Sequence, residues 1–185
     1  GHSGLAWSDD DGRTWTVPRS AIWPGGSGFD QVAFVRQDDE VYSFGIPAGR
    51  FGDVRLRRVA TEHILEPGAY RYWDGEGWVA DPSEAATVVP GPVGELSVAW
   101  NAHHRQWMMM YLNAERHAVV LRSAPQLTGP WGEERIVVTA EEHPGLYAPY
   151  IVPLPDIGRD VYFTMSMWGP YNVFLMKTML VEPTR

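Results

Sequence analysis

With 185 residues, 44% hydrophobic and 21% charged, the chain is long enough to bury a core and too apolar to be disordered. Its net charge of -8 argues against a nucleic-acid partner, whose phosphates need clustered Lys and Arg. The absence of cysteine excludes disulfides and thiolate chemistry, and no run of about 18 apolar residues predicts membrane insertion.

The first residues, GHSGLAWSDDDG, have neither the basic end nor the apolar stretch of an export signal. The SDDDGRTW segment, Ser8 to Trp15, fits the spacing S-x-D-x-G-x-T-W of the Asp-box, a hairpin on the outer side of propeller blades. Asp10 is expected to hold backbone N–H groups, Gly12 to supply a positive φ, and Trp15 to pack inside the blade. A calcium loop would need a Glu at its twelfth position, where Arg19 stands. Three acids in a row thus read as a turn.

Helix periodicity is nearly missing, and nineteen Gly and fifteen Pro break the chain into short strand-like runs. QVAFVR (31–36) is apolar on both faces, as a strand sandwiched between sheets would be. EVYSFGIP (40–47), DVRLRRVA (53–60) and YRYWDGEGWVA (70–80) follow. The RLRR run, Arg55 to Arg58, alternates with apolar residues and reads as a solvent-facing side. A second set comprises ELSVAWN (95–101), QWMMMYLN (106–113), AVVLRSA (118–124) and GEERIVV (132–138); its Met108–Met110 run is strand core by alternation. LTGPWG (127–132) is a turn. The last set is YAPYIVPL (147–154), DVYFTMSMW (160–168) and NVFLMKTML (172–180).

Sets of about four short strands every 45 to 50 residues predict an all-β chain of β-propeller blades; a two-sheet sandwich competes. The expected organisation is a single partial propeller domain over 1–185, with blade sets 1–28 (partial), 29–80, 95–138 and 146–181. That is about three and a half blades, too few to close a ring. An upstream segment or a second chain is expected to complete it.

Six ordered motifs, GLAWSDDDGRTW, YSFGIPAGRFG, AYRYWDGEGW, GPVGELSVAWN, LTGPWGEE and YFTMSMWGPYNVFLMK, resemble an actinobacterial family first catalogued as a domain of unknown function. Its members are associated with endo-D-arabinanase activity. The resemblance implies a five-bladed propeller glycoside hydrolase, secreted or facing the cell envelope, acting on D-arabinofuranose polymers. It also implies further blades and catalytic aspartates N-terminal to this segment, with no matching positions here.

Glycoside hydrolysis needs two carboxyl groups across the scissile bond. Asp30 and Glu95 each precede an innermost strand, where a propeller site would lie. Glu95, before an apolar strand, suits a general acid; its alternative is a carboxylate satisfied by an Arg, and for Asp30 a loop cap. Arg50, in PAGRFG, could hold a carboxylate or sugar hydroxyl. Tyr70, Tyr147, Trp168, Tyr171 and Asn172 are candidates for a sugar-binding rim. The histidines lack ligand spacing, so neither a metal nor a cofactor is expected. A polysaccharide is the expected partner. A carbohydrate-binding propeller without hydrolysis, or an inactive remnant, are the competing readings.

Overall fold

A computed structural model describes residues 1–154 and 158–180. Two compact units emerge, Gly1–Ala48 with Val54–Thr87, and Gly49–Asp53 with Val88–Arg185. In chain order the strands are β1 (His2–Gly4), β2 (Ile22–Pro24), β3 (Gln31–Gln37), β4 (Glu40–Ile46), β5 (Gly52–Ala60), β6 (Arg71–Trp73), β7 (Trp78–Val79) and β8 (Thr87–Val93). They continue with β9 (Leu96–Asn101), β10 (Gln106–Asn113), β11 (Ala118–Ala124), β12 (Arg135–Thr139), β13 (Leu146–Ile151), β14 (Asp160–Met167) and β15 (Asn172–Met179). The chain is all-β, as the short alternating runs predict, with three single-turn 3₁₀ segments among the described residues.

In the first unit, β1 pairs with β2, and β3 to β7 form an antiparallel meander. Its core gathers Ala21, Trp23, Phe29, Val41, Val59, Tyr70, Tyr72 and Ala85. Trp23 meets Tyr70 edge-on at 5.3 Å, and Phe29 meets Tyr72 at 5.6 Å. Phe29 also explains Gly45, because a Cβ there would lie 2.2 Å from the Phe29 ring.

Two expectations change here. The RLRR run is not a solvent face throughout, since Arg57 is 2% exposed. Its guanidinium lies 4.6 Å from the ring centroids of Trp23, Phe29 and Tyr70, and burial pushes its pKa down. Ring faces replace water as its environment. Nor is β3 sandwiched: it is the outer strand of its sheet, with Phe34 and most of its other side chains partly or fully exposed.

The Ser8–Trp15 turn closes on Asp10. Its Oδ1 accepts from the Thr14 N–H and the Ser8 hydroxyl, both at 2.8 Å, and Oδ2 accepts from the Thr14 hydroxyl at 2.7 Å. Gly12 has φ +82, and backbone hydrogen bonds between Trp7 and Thr16 close the base. Trp15 departs from expectation. It is 63% exposed, its indole N–H folded back onto the Gly12 carbonyl at 3.1 Å.

The second unit contains two antiparallel sheets, β9 to β12 in sequential order and β13 to β15. Between them lies one core of Met108, Met110, Leu112, Val119, Leu121, Val138, Leu146, Ile151, Val161, Phe163 and Met165. The Ser97 hydroxyl on β9 accepts the Ile151 N–H of β13 at 3.0 Å. Met109 is as buried as its neighbours, so this run is apolar on both faces rather than by alternation. Within this unit the Gly91 N–H of β8 donates to Asp53 Oδ1 at 2.7 Å.

Gly45→Ala is expected to cost about 1–3 kcal/mol in denaturant unfolding, because the Phe29 ring must move. Hydrogen bonds from Thr14 first, then Ser8, lower Asp10 from 3.8 to about 2. The turn therefore keeps this contribution above pH 4 and loses it as pH falls through about 2; carboxyl NMR titration of Asp10 checks the window.

Candidate functional site

The rim of the second unit assembles five of the predicted residues. Glu95 sits immediately before β9, where the Gly94 N–H donates to the Leu112 carbonyl at 2.8 Å. A Cβ at Gly94 would stand 3.0 Å from that oxygen, so glycine permits the close approach that places Glu95. Arg50 comes from the loop before β5, and its Nη2 lies 3.0 Å from Glu95 Oε1. Both side chains are about one-third exposed. Glu95 Oε2 is shielded from solvent and has no hydrogen-bond partner.

The same Arg50 guanidinium lies 6.0 Å from the centre of the Tyr147 ring. Tyr147 stacks on Trp168 at 4.9 Å and 25°. Tyr171 continues the series 6.1 Å beyond, tilted by 50°. Trp168 is 55% and Tyr171 74% exposed. The result is a continuous path from a carboxylate through a guanidinium to an open aromatic surface.

Local backbone geometry aims these rings. β13 and β14 change register between Tyr147 and Tyr150, and Ala148 has φ +47. An alanine in the left-handed region within a strand is strained, and a bulge redirects the side chain beside it. Trp168 and Tyr171 lie on the turn joining β14 to β15, with the Trp168 N–H bound to the Gly145 carbonyl at 3.0 Å. Asn172 opens β15 beside Tyr171 and is exposed.

Glu95 is less buried than expected, with about a third of its side chain exposed, and its partner is a cation, the alternative that the sequence already offered. Asp30 lies in the first unit, where Oδ1 accepts the Gly26 N–H at 2.8 Å, the loop cap named as its alternative. Tyr70 does not form a rim. It is 1% exposed, its hydroxyl donates to the Ile64 carbonyl at 2.7 Å, and its ring belongs to the Arg57 box.

Sequence reading missed a second cluster of charge. Glu134 accepts from the Tyr111 hydroxyl at 2.6 Å, from Asn113 at 3.0 Å and from Arg116 at 2.5 Å, with Arg122 at 3.4 Å. Burial pushes its pKa up, but those hydrogen bonds and the Arg122 charge prevail and lower it. Both carboxylate oxygens are engaged, so this network ties β10 and β11 to the segment before β12. A cleft of about 610 Å³ lies at the end of β9 away from Glu95, lined by Trp100, Asn101, His103, Met108, Ile151 and Leu154. None of its described lining residues is a carboxylate, whereas the Arg50–Glu95 rim carries one. Among the described residues, no three His, Asp or Glu side chains converge as a metal would require.

The sheets and their connections define a β-propeller class of fold, and solved structures share it. The chain is similar to a thermostable family-43 glycoside hydrolase, with TM-score 0.57 and 14% identity over 97% of this chain and 63% of that one. It is likewise similar to an exo-β-1,3-galactanase from Clostridium thermocellum, with TM-score 0.53 and 12% identity over 95% of this chain and 38% of that one. Identities this low carry the fold alone. The chain belongs to the family described as "Domain of unknown function (DUF4185)", whose model matches residues 1–177. The Notoamide biosynthesis cluster protein J of Aspergillus sp. (strain MF297-2) is 33% identical over 179 residues, covering 90% of this chain and 47% of that protein. The chain spans about half the length of the curated relatives it matches.

Glu134→Gln would leave two guanidinium groups without their carboxylate. Thermal unfolding is expected to show a loss of about 3 kcal/mol, whereas Tyr111→Phe should lose about 1 kcal/mol.

Proposed function

We propose that this chain contributes one wall of a glycan site, as part of a glycoside hydrolase acting on arabinofuranose-containing cell-wall polysaccharide. The observation that carries the reading is the Arg50–Glu95 pair joined to the Tyr147–Trp168 stack. Sugar rings present C–H faces that pack on aromatic surfaces, while their hydroxyls need charged or polar partners at the edge. Trp168 and Tyr171 offer the faces, and the partly exposed Arg50–Glu95 pair offers the edge. The similarity to a family-43 glycoside hydrolase supports the class, and the resemblance of the six motifs supports arabinan.

In this mechanism the exposed part of the Glu95 side chain faces the substrate, and Arg50 fixes the orientation of the carboxylate. Glu95 acts as base or nucleophile. A second carboxyl group must protonate the leaving oxygen, and it is assigned to polypeptide outside residues 1–185. An exported or envelope location follows from such a substrate. The alternative, carbohydrate binding without hydrolysis, is favoured by one fact: the cluster itself supplies a single carboxylate, Glu95.

The test uses the polypeptide expressed from its natural gene and purified cell-wall arabinan. Glu95→Gln is expected to reduce oligosaccharide release by about 10²–10⁴-fold while binding persists, and Trp168→Ala to weaken binding at least tenfold. Release unchanged in Glu95→Gln removes that residue from the chemistry. Intact binding with no release from the wild type selects the binding reading.

A further inference from the structure

The three rings at the rim are not equivalent. Tyr147 is partly buried against the core of the second unit and stacks on Trp168 at 4.9 Å, so it backs one face of that indole. Trp168 keeps its other face, and Tyr171 stands mostly in water. The Trp168 and Tyr171 centroids lie 6.1 Å apart, with their planes 50° from parallel. A sugar ring between them would need carbon contacts of about 3.5–4.0 Å on each side, about 7–8 Å in all. Planes tilted this far cannot both lie flat on one sugar ring. Each aromatic ring is therefore free to face a sugar unit of its own.

The backbone under Tyr171 is a second observation. Met167 and Asn172 pair across the β14–β15 hairpin, and the Tyr171 N–H donates to the Met167 carbonyl at 3.0 Å, closing a loop of Trp168 to Tyr171. Tyr171, last in that loop, has φ +53. Glycine and asparagine enter this left-handed region readily, whereas a bulky side chain is strained there. Gly145, whose carbonyl accepts the Trp168 N–H, meets the same demand at φ +75 without a side chain. At residue 171 neither burial nor backbone preference calls for a tyrosine, and asparagine would serve both better.

We propose that Tyr171 is a specificity-determining residue that receives the sugar unit next to the one on Trp168. The wall then binds two consecutive units of one glycan chain and discriminates by chain length. This inference rests on the glycan-site reading above and divides that site into two contacts. Strain retained beneath an exposed ring is what a residue kept for a ligand would show. The ring face suits the C–H face of the second unit, and the phenol hydroxyl suits a sugar hydroxyl at its edge.

NMR titration and thermal unfolding test it, on the polypeptide expressed from its natural gene in the Glu95→Gln background. Methyl α-D-arabinofuranoside is the one-unit probe, and a linear arabinofuranose hexasaccharide is the long one. Tyr171→Asn is expected to weaken the hexasaccharide about tenfold or more and leave the one-unit probe unchanged. The same variant should raise the melting temperature by about 2–4 °C, as the strain is released. Tyr171→Phe keeps both the ring and the strain, and should keep the hexasaccharide affinity. Trp168→Ala should weaken both probes. If Trp168→Ala weakens neither, the glycan reading and this inference fall together. Weakening of both probes by Trp168→Ala but of neither by Tyr171→Asn overturns this inference alone, as does equal weakening of both probes by Tyr171→Asn. A lower melting temperature in Tyr171→Asn also overturns it, since the tyrosine would then be serving the fold.

Discussion

Met108, Met110 and Leu112 from one sheet and Val161, Phe163 and Met165 from the other bury nearly all their surface in a shared core, and the position of the candidate site follows from that contact. Each such side chain contributes about 1.5–3 kcal/mol when removed from water. Interdigitation at this density allows little sliding. Tyr147 packs against the same core, so its ring is held by the interlock rather than by the loop around it. The Ser97–Ile151 hydrogen bond fixes β9 against β13. Glu95, just ahead of β9, and Tyr147, early in β13, therefore emerge at one rim as a consequence of packing.

What emerges there is poorly suited to stabilising the fold. A third-exposed ion pair such as Arg50–Glu95 is worth about 0–1 kcal/mol, and the open faces of Trp168 and Tyr171 leave apolar surface in water. Ala148 adds backbone strain in the middle of β13. The Glu134 network provides the contrast. Its Glu134 carboxylate and Arg122 are largely enclosed, and both carboxylate oxygens are partnered where they join strands. One cluster spends its carboxylate within the fold, while the other keeps a partly exposed ion pair and two aromatic faces open to solvent. That difference, rather than cleft size, distinguishes a structural network from a binding surface.

The strands were legible because alternation and turn residues mark them directly: β10 and β11 run over the expected residues, and β4, β14 and β15 differ by a residue at one end. β8 was hidden by Pro90 and Pro92, which discourage a strand reading although pairing along the other residues survives. β1 and β2 are too short to show a period. Side-chain fate was harder to read. Tyr70 looks like a rim residue and Arg57 like a surface one, yet each buries the other through ring–guanidinium contact across distant segments. No local pattern encodes that pairing. Trp15 moved the opposite way, its indole satisfied by a carbonyl within its own turn. Glu95, Arg50, Tyr147, Trp168 and Tyr171 were legible singly, from turn position and residue chemistry; their convergence required the sheets.

The central claim is that the Arg50–Glu95 pair and the Trp168 surface form one glycan-binding wall. A crystal structure of the natural polypeptide carrying Glu95→Gln, soaked with an arabinofuranose oligosaccharide, tests it most directly. The account predicts a furanose ring against Trp168 with a hydroxyl in hydrogen-bond reach of the residue 95 side chain. Sugar bound in the cleft beside Trp100, with Trp168 and Tyr171 left in solvent, would contradict it.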